Sequence, residues 1–255
     1  MARRSASWGL VGLLSVLAGA GEALAAHPFT AEDTGTVGEG LAELTLVTAV
    51  RGDRRTELGG LDVIGAVHLG LLEQLDLGAE FGFAWGEAGG GRWQSGAGAP
   101  VVDLKWRLAD GEGAWPSVVA KATWSPPQTA DGDEAGHGFG LIVALGWAGA
   151  RWELGIDGAV EGCAGAESGH APAVRASATA LWQAEDRVQL GLEVTARAPS
   201  GAAVGAEVLA GLRAQPSATS VASLGVGTVH HAGGQGWMAT VAWTQVFGGA
   251  PAGEQ

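Results

Sequence analysis

The reactive side chains of this sequence do not assemble into a recognisable catalytic group. Nucleophilic catalysis needs a nucleophile held beside a histidine and an acid. The one cysteine, Cys163, lies in a Gly- and Ala-rich stretch, and His68, which is near Asp62 in the sequence, has no serine that completes such a group. The sequence also lacks Gly-x-Ser-x-Gly, His-Glu-x-x-His and phosphate-loop motifs. We therefore predict that the protein is not an enzyme and has neither catalytic residues nor a cofactor.

Two groups of residues have side chains that metal ions favour. Asp131, Asp133 and Glu134 offer carboxylate oxygens, but their spacing does not match a helix-loop-helix calcium site, and a solvated acidic loop explains them. His230 and His231 are adjacent on a predicted strand, so their side chains point to opposite faces. We predict no metal site.

The composition excludes several classes of protein. The chain has 255 residues, of which 45 are glycine and 47% are hydrophobic, and its net charge is -13. A disordered chain carries more charge and fewer apolar residues, and a nucleic-acid-binding protein needs a basic surface. A single cysteine excludes a disulfide scaffold. We expect no nucleic-acid partner.

The first 25 residues have the features of a secretory signal peptide. Arg3 and Arg4 precede an apolar run over residues 8–17, and Ala23-Leu24-Ala25 has the small-x-small form that signal peptidase cleaves. The run is too short for a membrane anchor. We therefore expect an exported protein whose fold begins near Ala26.

The rest of the chain alternates between apolar and polar residues with a period of two. Residues 75–85 place Leu, Leu, Ala, Phe, Phe and Trp on one face, and Asp, Gly, Glu, Gly and Ala on the other. This period is typical of a β-strand whose two faces have different surroundings.

About twelve segments show this alternation, with the length of transmembrane β-strands. They are residues 41–51, 60–69, 75–86, 100–108, 115–125, 138–147, 151–161, 173–182, 187–197, 203–213, 219–230 and 236–247. Because some segments are ambiguous, roughly ten to fourteen strands are compatible with the pattern. Short and long connections alternate, as in outer-membrane barrels with short periplasmic turns and longer external loops.

Charged residues share one face of these strands. In a soluble sandwich that face meets water, whereas in a membrane barrel it lines the lumen. For a barrel, the predicted lumen-lining residues are Glu43, Arg51, Asp62, Asp76, Glu80, Asp103, Lys105, Arg107, Lys121, Glu153, Asp157, Glu161, Arg175, Glu193, Arg197, Glu207 and Arg213.

Tryptophan favours the barrel, because rings on the apolar face near strand ends suit a membrane interface. The predicted interface aromatics are Trp85, Trp106, Trp124, Trp147, Trp152, Trp182, Trp237, Trp243 and Phe247. We predict an all-β, antiparallel, up-and-down transmembrane β-barrel.

Several segments resemble one family of bacterial barrels. Residues 27–40 read His-Pro-Phe-Thr-Ala-Glu-Asp-Thr-Gly-Thr-Val-Gly-Glu-Gly, and segments at 70–77, 102–107, 119–127 and 132–134 follow in order. Together they resemble the Gram-negative outer-membrane transporters of the meta-pathway of phenol degradation. Barrels of this kind usually end on an aromatic residue, whereas here Phe247 is followed by residues 248–255.

The resemblance implies a porin-like barrel in the outer membrane that passes small molecules, aromatic or apolar ones among them. It also implies contacts with outer-membrane lipid, lipopolysaccharide and the barrel-assembly machinery. The expected organisation is a signal peptide (1–25), a periplasmic arm or partial plug (26–40), the barrel (41–247) and a tail (248–255). A structural barrel without transport and a secreted soluble β-sandwich binding protein remain alternatives.

Overall fold

The computed structural model describes residues 32–53, 59–87, 93–127, 136–164, 172–198, 204–231 and 234–248. The predicted signal peptide, the first part of the arm, the Asp131–Glu134 acidic group and most of the tail lie outside these residues. No helix among the described residues is long and apolar enough to span a membrane.

The described residues form thirteen β-strands. They are β1 (Ala42–Asp53), β2 (Gly60–Leu72), β3 (Leu75–Glu87), β4 (Trp93–Ala97), β5 (Val101–Ala109), β6 (Ser117–Ser125), β7 (His137–Ala148), β8 (Trp152–Ala164), β9 (Ala173–Glu185), β10 (Val188–Ala198), β11 (Gly205–Ser217), β12 (Ser220–His231) and β13 (Gly234–Phe247).

The sheet closes on itself as a single antiparallel ring. β1 pairs with β2 on one side and with the last strand, β13, on the other, with Ala42 opposite Phe247. Each remaining strand pairs with its neighbours in sequence, except that β3 pairs with both β4 and β5. The ring therefore has twelve positions, because β4 and β5 share one. The predicted twelve-strand, up-and-down barrel is confirmed, and the soluble sandwich is wrong.

The shared position contains a β-bulge. β3 advances three residues from Glu80 to Phe83 while the opposite strand advances four, from Val101 back to Ala97. Pro100 has no N–H to donate at this point, and the N–H of Gly98 instead reaches the carbonyl of Gly82 at 2.8 Å. The pattern-based prediction of one strand over 100–108 captured β5 and missed β4.

The two ends of the barrel differ. Connections at residues 73–74, 110–116, 149–151, 186–187 and 218–219 lie at one end, together with the start of β1 and the end of β13. We call this end the turn rim. The other end, the loop rim, contains the strand ends that bound residues 54–59, 88–92, 126–136, 165–172, 199–204 and 232–233. The last two are short for that end, as the sequence indicated.

Burial alternates along each strand, and it separates apolar from charged side chains. Leu46 is 52% exposed beside Val47 at 1%, and Phe81 is 60% exposed beside Glu80 at 2%. In a closed ring the buried face is the interior, so large apolar side chains cover the outside and charged ones lie inside. This is the reverse of a soluble protein and matches the surface that a lipid bilayer requires.

The predicted interface aromatics occupy the outer face. Trp85, Trp106, Trp124, Trp152, Trp182, Trp237, Trp243 and Phe247 are exposed there, and Trp147 is half-buried. Trp93 and Trp115 are exposed as well and were not predicted. Trp93 lies on β4, with its ring centroid 4.4 Å from that of Trp85. A membrane-interface role for these rings stays a prediction.

Candidate functional site in the barrel interior

The interior contains most of the residues predicted to line a lumen. Glu153 is exposed at the turn rim. Seven others are half-buried: Glu43, Arg51, Arg107, Glu161, Arg197, Glu207 and Arg213. The remaining nine are buried: Asp62, Asp76, Glu80, Asp103, Lys105, Lys121, Asp157, Arg175 and Glu193.

Ion pairs and hydroxyl groups compensate these buried charges, as burial requires. Arg51 lies 3.5 Å from Asp62, and Arg175 lies 3.2 Å from Asp157. The carboxylate of Glu193 accepts hydrogen bonds from Thr179 at 3.2 Å and Thr195 at 3.0 Å. The charged face of the strands is therefore a connected polar lining rather than a set of isolated charges.

Residues 32–41, which we call the arm, run from the turn rim into the interior. The N–H of Gly40 donates to the carbonyl of Gly70 at 2.9 Å, near the entry point on β2. The N–H of Val37 donates at 2.9 Å to Asp76, which is the register partner of Gly70. Farther from the turn rim, the N–H of Glu32 donates to Asp157 at 3.2 Å. The arm thus contacts the wall from β2 to β8.

Two glycines of the wall make room for the arm. A Cβ at Gly70 would lie 1.7 Å from the carbonyl oxygen of Gly38, which itself has a φ of +96°. A Cβ at Gly146 would lie 2.6 Å from Oγ1 of Thr34. A side chain at Gly70 would displace the backbone of the arm, and one at Gly146 would displace the Thr34 side chain, so the wall and the arm are complementary in shape.

The first described residue of the arm, Glu32, has its carboxylate held between two lysines. Lys105 and Lys121 are the two lysines of the chain, and they lie opposite each other on β5 and β6. Oε1 of Glu32 is 2.9 Å from Nζ of Lys105, and Oε2 is 3.4 Å from Nζ of Lys121. Lys105 also pairs with Asp33. We call Lys105 and Lys121 the two-lysine site.

The charge state of Glu32 follows from this geometry. Burial would by itself raise its pKa, but the adjacent Lys121 and Lys105 ammonium groups outweigh burial and lower the pKa of Glu32 to about 2. Glu32 is therefore an anion, and its attachment to the lysines is electrostatic.

Two further acids lie close to Lys121, and one of them also contacts a histidine. Nζ of Lys121 is 3.3 Å from Glu80 and 3.9 Å from Asp103, and Nε2 of His68 is 3.4 Å from Asp103. Asp62, which is near His68 in the sequence, pairs with Arg51 instead. Gly78 provides the space, since a Cβ there would lie 2.2 Å from Asp103.

His68, Glu80 and Asp103 also bring possible metal-ligand atoms within 4.8 Å of one another. A cation at this place would meet the ammonium of Lys121, which already lies 3.3 Å from Glu80 and supplies positive charge to both acids. The arrangement is better described as a histidine–acid–lysine cluster than as a metal centre.

An apolar part of the inner wall was not predicted. Two groups of buried apolar side chains are present. Leu181, Leu209 and Met238, on β9, β11 and β13, form one group, against which the half-buried Val229 of β12 packs. Val47, Ile64, Ala66 and Ala242, on β1, β2 and β13, form the other. β1 and β2 carry apolar residues on both parities, and this was the available signal. The interior therefore has a charged side, which contacts the arm, and a mixed side, on which these apolar groups lie among polar residues such as Arg51 and Glu193.

A polar cavity of about 300 Å³ opens near the turn rim, away from the arm. Its wall comes from β8 to β12 and includes Glu153, Gln183, Gln189 and Arg213. Because the arm lies against β2 to β8, the cavity and the arm occupy different parts of the interior.

The closed ring, the apolar exterior and the polar lining define a β-barrel of the outer-membrane type. No family model and no curated protein matches the sequence. Solved structures do. The COG4313 outer membrane channel from Pseudomonas putida F1 has a TM-score of 0.61 at 12% identity, over 84% of this chain and 98% of that one.

Two porins have the same fold. The NanC porin has a TM-score of 0.55 at 10% identity, over 79% of this chain and 98% of its own. The KdgM porin, in complex with disordered oligogalacturonate, has a TM-score of 0.56 at 6% identity, over 81% and 99%. At sequence identities this low, the structural similarity shows a shared fold and nothing more.

Proposed function

We propose that the protein is an outer-membrane channel that passes small molecules through the barrel. The main observation that supports this proposal is the closed twelve-position ring, which has apolar side chains outside and charged ones inside. Lipid accounts for the outer face, and a water-accessible interior accounts for the inner face. The channel and porins that share the fold support this assignment. In our proposal the turn rim faces the periplasm.

Planar-bilayer recording tests the proposal. Purified, refolded barrel should produce discrete conductance steps, and the same preparation should migrate faster unheated than boiled on a detergent gel. A heat-denatured sample from the same preparation is the control. A folded barrel that adds no conductance would contradict the channel and leave the fold intact.

We propose small organic molecules with apolar or aromatic parts as the solutes. The apolar groups of the interior, with Leu181, Leu209 and Met238 buried, support this class. Such a surface would contact hydrocarbon, while the polar side keeps water in the pore. The resemblance to transporters of the phenol meta-pathway points the same way, and we propose membership of that family on this basis. Liposome swelling with solutes of matched size, such as benzyl alcohol and glycerol, compares the classes.

A structural barrel without transport is the second candidate, because the arm and the ion pairs fill the charged side of the interior. The two candidates differ in what removal of the arm does. If the arm is a partial plug of a channel, deletion of residues 32–38 should increase single-channel conductance. If side chains close the interior, the deletion should leave the barrel non-conducting.

A further inference from the structure

The two-lysine site has a property that an ordinary wall ion pair lacks. Its partner, Glu32, belongs to the arm and not to a strand. We propose that Lys105 and Lys121 form a binding site for the carboxylate of a small organic acid, and that Glu32 occupies this site as an internal competitor. The inference rests on the proposed function, in that the channel admits the acid.

The geometry is that of a carboxylate site. The two oxygens of Glu32 contact different lysines, at 2.9 Å from Lys105 and 3.4 Å from Lys121. A carboxylate on a free molecule offers the same two oxygens at the same spacing. The strands fix both lysines, because Lys105 and Lys121 are register partners on β5 and β6. The contacts of the site therefore do not depend on the ligand being part of the chain.

The charge of Lys105 requires that a ligand carboxylate replace the arm carboxylates whenever the arm leaves the site. In the described part of the chain, both ion pairs within 4.0 Å of Lys105 are with the arm residues Glu32 and Asp33. Withdrawal of the arm would leave a buried ammonium without those partners, which is strongly unfavourable. A ligand carboxylate restores the balance, so arm displacement and acid binding are coupled.

The surroundings favour a single negative charge. Glu80 and Asp103 remain beside Lys121 when the arm leaves, and Asp76 is the register partner of Lys105. These three acids would repel a phosphate dianion more strongly than a monocarboxylate. A small monocarboxylic acid is therefore the expected ligand class.

Titration calorimetry on the detergent-refolded, full-length barrel tests the site, with benzoate as the probe and benzamide as its uncharged control. In the Glu32→Gln/Asp33→Asn variant the competitor loses its charge. Benzoate should then bind roughly tenfold more tightly or better, because a site mostly occupied by the arm has a reduced apparent affinity. Benzamide should not distinguish this variant from the unmodified protein.

Variants of the wall separate the site from general charge effects. Lys105→Gln in the Glu32→Gln/Asp33→Asn background should abolish benzoate binding. Arg213→Gln in the same background should leave it unchanged, because Arg213 lines the turn-rim cavity and not the two-lysine site. If Lys105→Gln does not refold, as judged by heat-dependent gel migration, Lys105→Arg keeps the charge and should retain weaker binding.

Two results would refute the proposed carboxylate site. One is equal binding of benzoate and benzamide, and the other is an unchanged benzoate affinity in Glu32→Gln/Asp33→Asn. Conductance recorded on the same preparations keeps the two proposals distinct. A conducting barrel that does not discriminate benzoate from benzamide refutes the carboxylate site and keeps the channel. A barrel that binds benzoate as expected and does not conduct refutes the channel instead.

Discussion

At the scale of single residues, the face on which a side chain lies determines what it can be replaced with. The outer face of β10 carries Leu192, which is 50% exposed near the middle of the strand. The inner face carries Gln189, whose amide donates to Glu153 at 2.8 Å. The same new side chain should therefore have opposite consequences at the two positions.

Leu192→Arg should destabilise the folded barrel by about 2–4 kcal/mol, because the guanidinium would have to enter the apolar part of the bilayer. Gln189→Arg should be tolerated, since it replaces one contact to Glu153 with an ion pair in a polar cavity. Leu192→Phe is the control at the outer site. Urea unfolding in lipid vesicles measures all three. Equal stability of the two arginine variants would contradict a difference between the faces, and a larger loss in Gln189→Arg would mean that the faces are inverted.

Glycines have an equally local effect where the arm touches the wall. Gly70→Ala should displace the arm, because the added Cβ would lie 1.7 Å from the carbonyl oxygen of Gly38. Overpacking of this kind costs about 1–3 kcal/mol, so the undocked population of the arm should rise roughly 5- to 150-fold. The reaction of a Val37→Cys thiol with maleimide, in a Cys163→Ser background, should accelerate accordingly.

Gly65→Ala is the matched control for Gly70→Ala on the same strand. A Cβ at Gly65 meets nothing within 4 Å, so the labelling rate should not change. Equal rates in both variants would show that the contact between Gly38 and Gly70 does not hold the arm.

At the scale of elements, the alternating pattern located the strands well where both faces have distinct surroundings. All twelve predicted segments are strands in the structure, with ends that differ by a few residues. β4 was missed because Trp93-Gln94-Ser95-Gly96-Ala97 has no apolar alternation. β4 forms because its backbone pairs with β3 beyond the bulge. Backbone pairing does not require any pattern of side chains, so a five-residue segment of this kind cannot be detected from the sequence.

The position of the arm inside the barrel could be predicted only in part from the sequence. The sequence suggested a periplasmic arm or partial plug, and it placed Lys105 and Lys121 on the polar face of two strands. It could not pair Glu32 with them, because 73 and 89 positions separate these residues and the path of the arm depends on space left by the wall. Gly70 and Gly146 provide that space, and as isolated glycines among 45 they carry no recognisable signal.

The docked arm should resist moderate acid. The pKa of Glu32 is lowered from 4.5 to about 2, so the stabilisation that it contributes is fully present above about pH 4.5 and is lost as the pH falls toward 2. The NMR spectrum of a fluorine label on Gly35→Cys, in a Cys163→Ser background, should show a transition near pH 2 that reports the loss of the Glu32 contacts.

Glu32→Gln isolates this carboxylate from Asp33, Asp103 and Asp157, which lie beside it. The variant should lose the transition near pH 2 while keeping any change that the other acids cause. A transition between pH 4 and 5 that disappears in Glu32→Gln would show that the two lysines do not hold the pKa of Glu32 low.

At the scale of the whole molecule, the interior is divided unevenly between polar and apolar side chains. The arm lies against β2 to β8, and the ion pairs lie on β1 to β9. The apolar groups lie on β9 and β11–β13 and on β13, β1 and β2, where buried polar residues such as Glu193 are also present, and the turn-rim cavity lies on β8 to β12. The parity argument assumed a polar inner face throughout and so missed Val47, Ile64 and Leu209. Alternation reports that two faces differ, but a strand that is apolar on both faces gives no such contrast.

This division bears on the ions that the barrel should prefer. The predicted lumen residues comprise ten acids and seven bases, and Glu32 and Asp33 of the arm add two more acids. A low-dielectric wall focuses the field of these charges on the pore and concentrates counter-ions there. Because many of the charges are paired, the excess is diluted and the expected preference for cations is mild.

The reversal potential in a KCl gradient should therefore indicate weak cation selectivity at low salt. The selectivity should shrink as salt increases, because the screening length falls from about 30 Å at 0.01 M to about 3 Å at 1 M. Glu32→Gln/Asp33→Asn should shift the reversal potential toward anions, since it removes two negative charges from the arm and leaves Lys105 and Lys121 in place. An anion-selective unmodified barrel would instead mean that the two lysines dominate the narrowest part of the pore even with the arm docked.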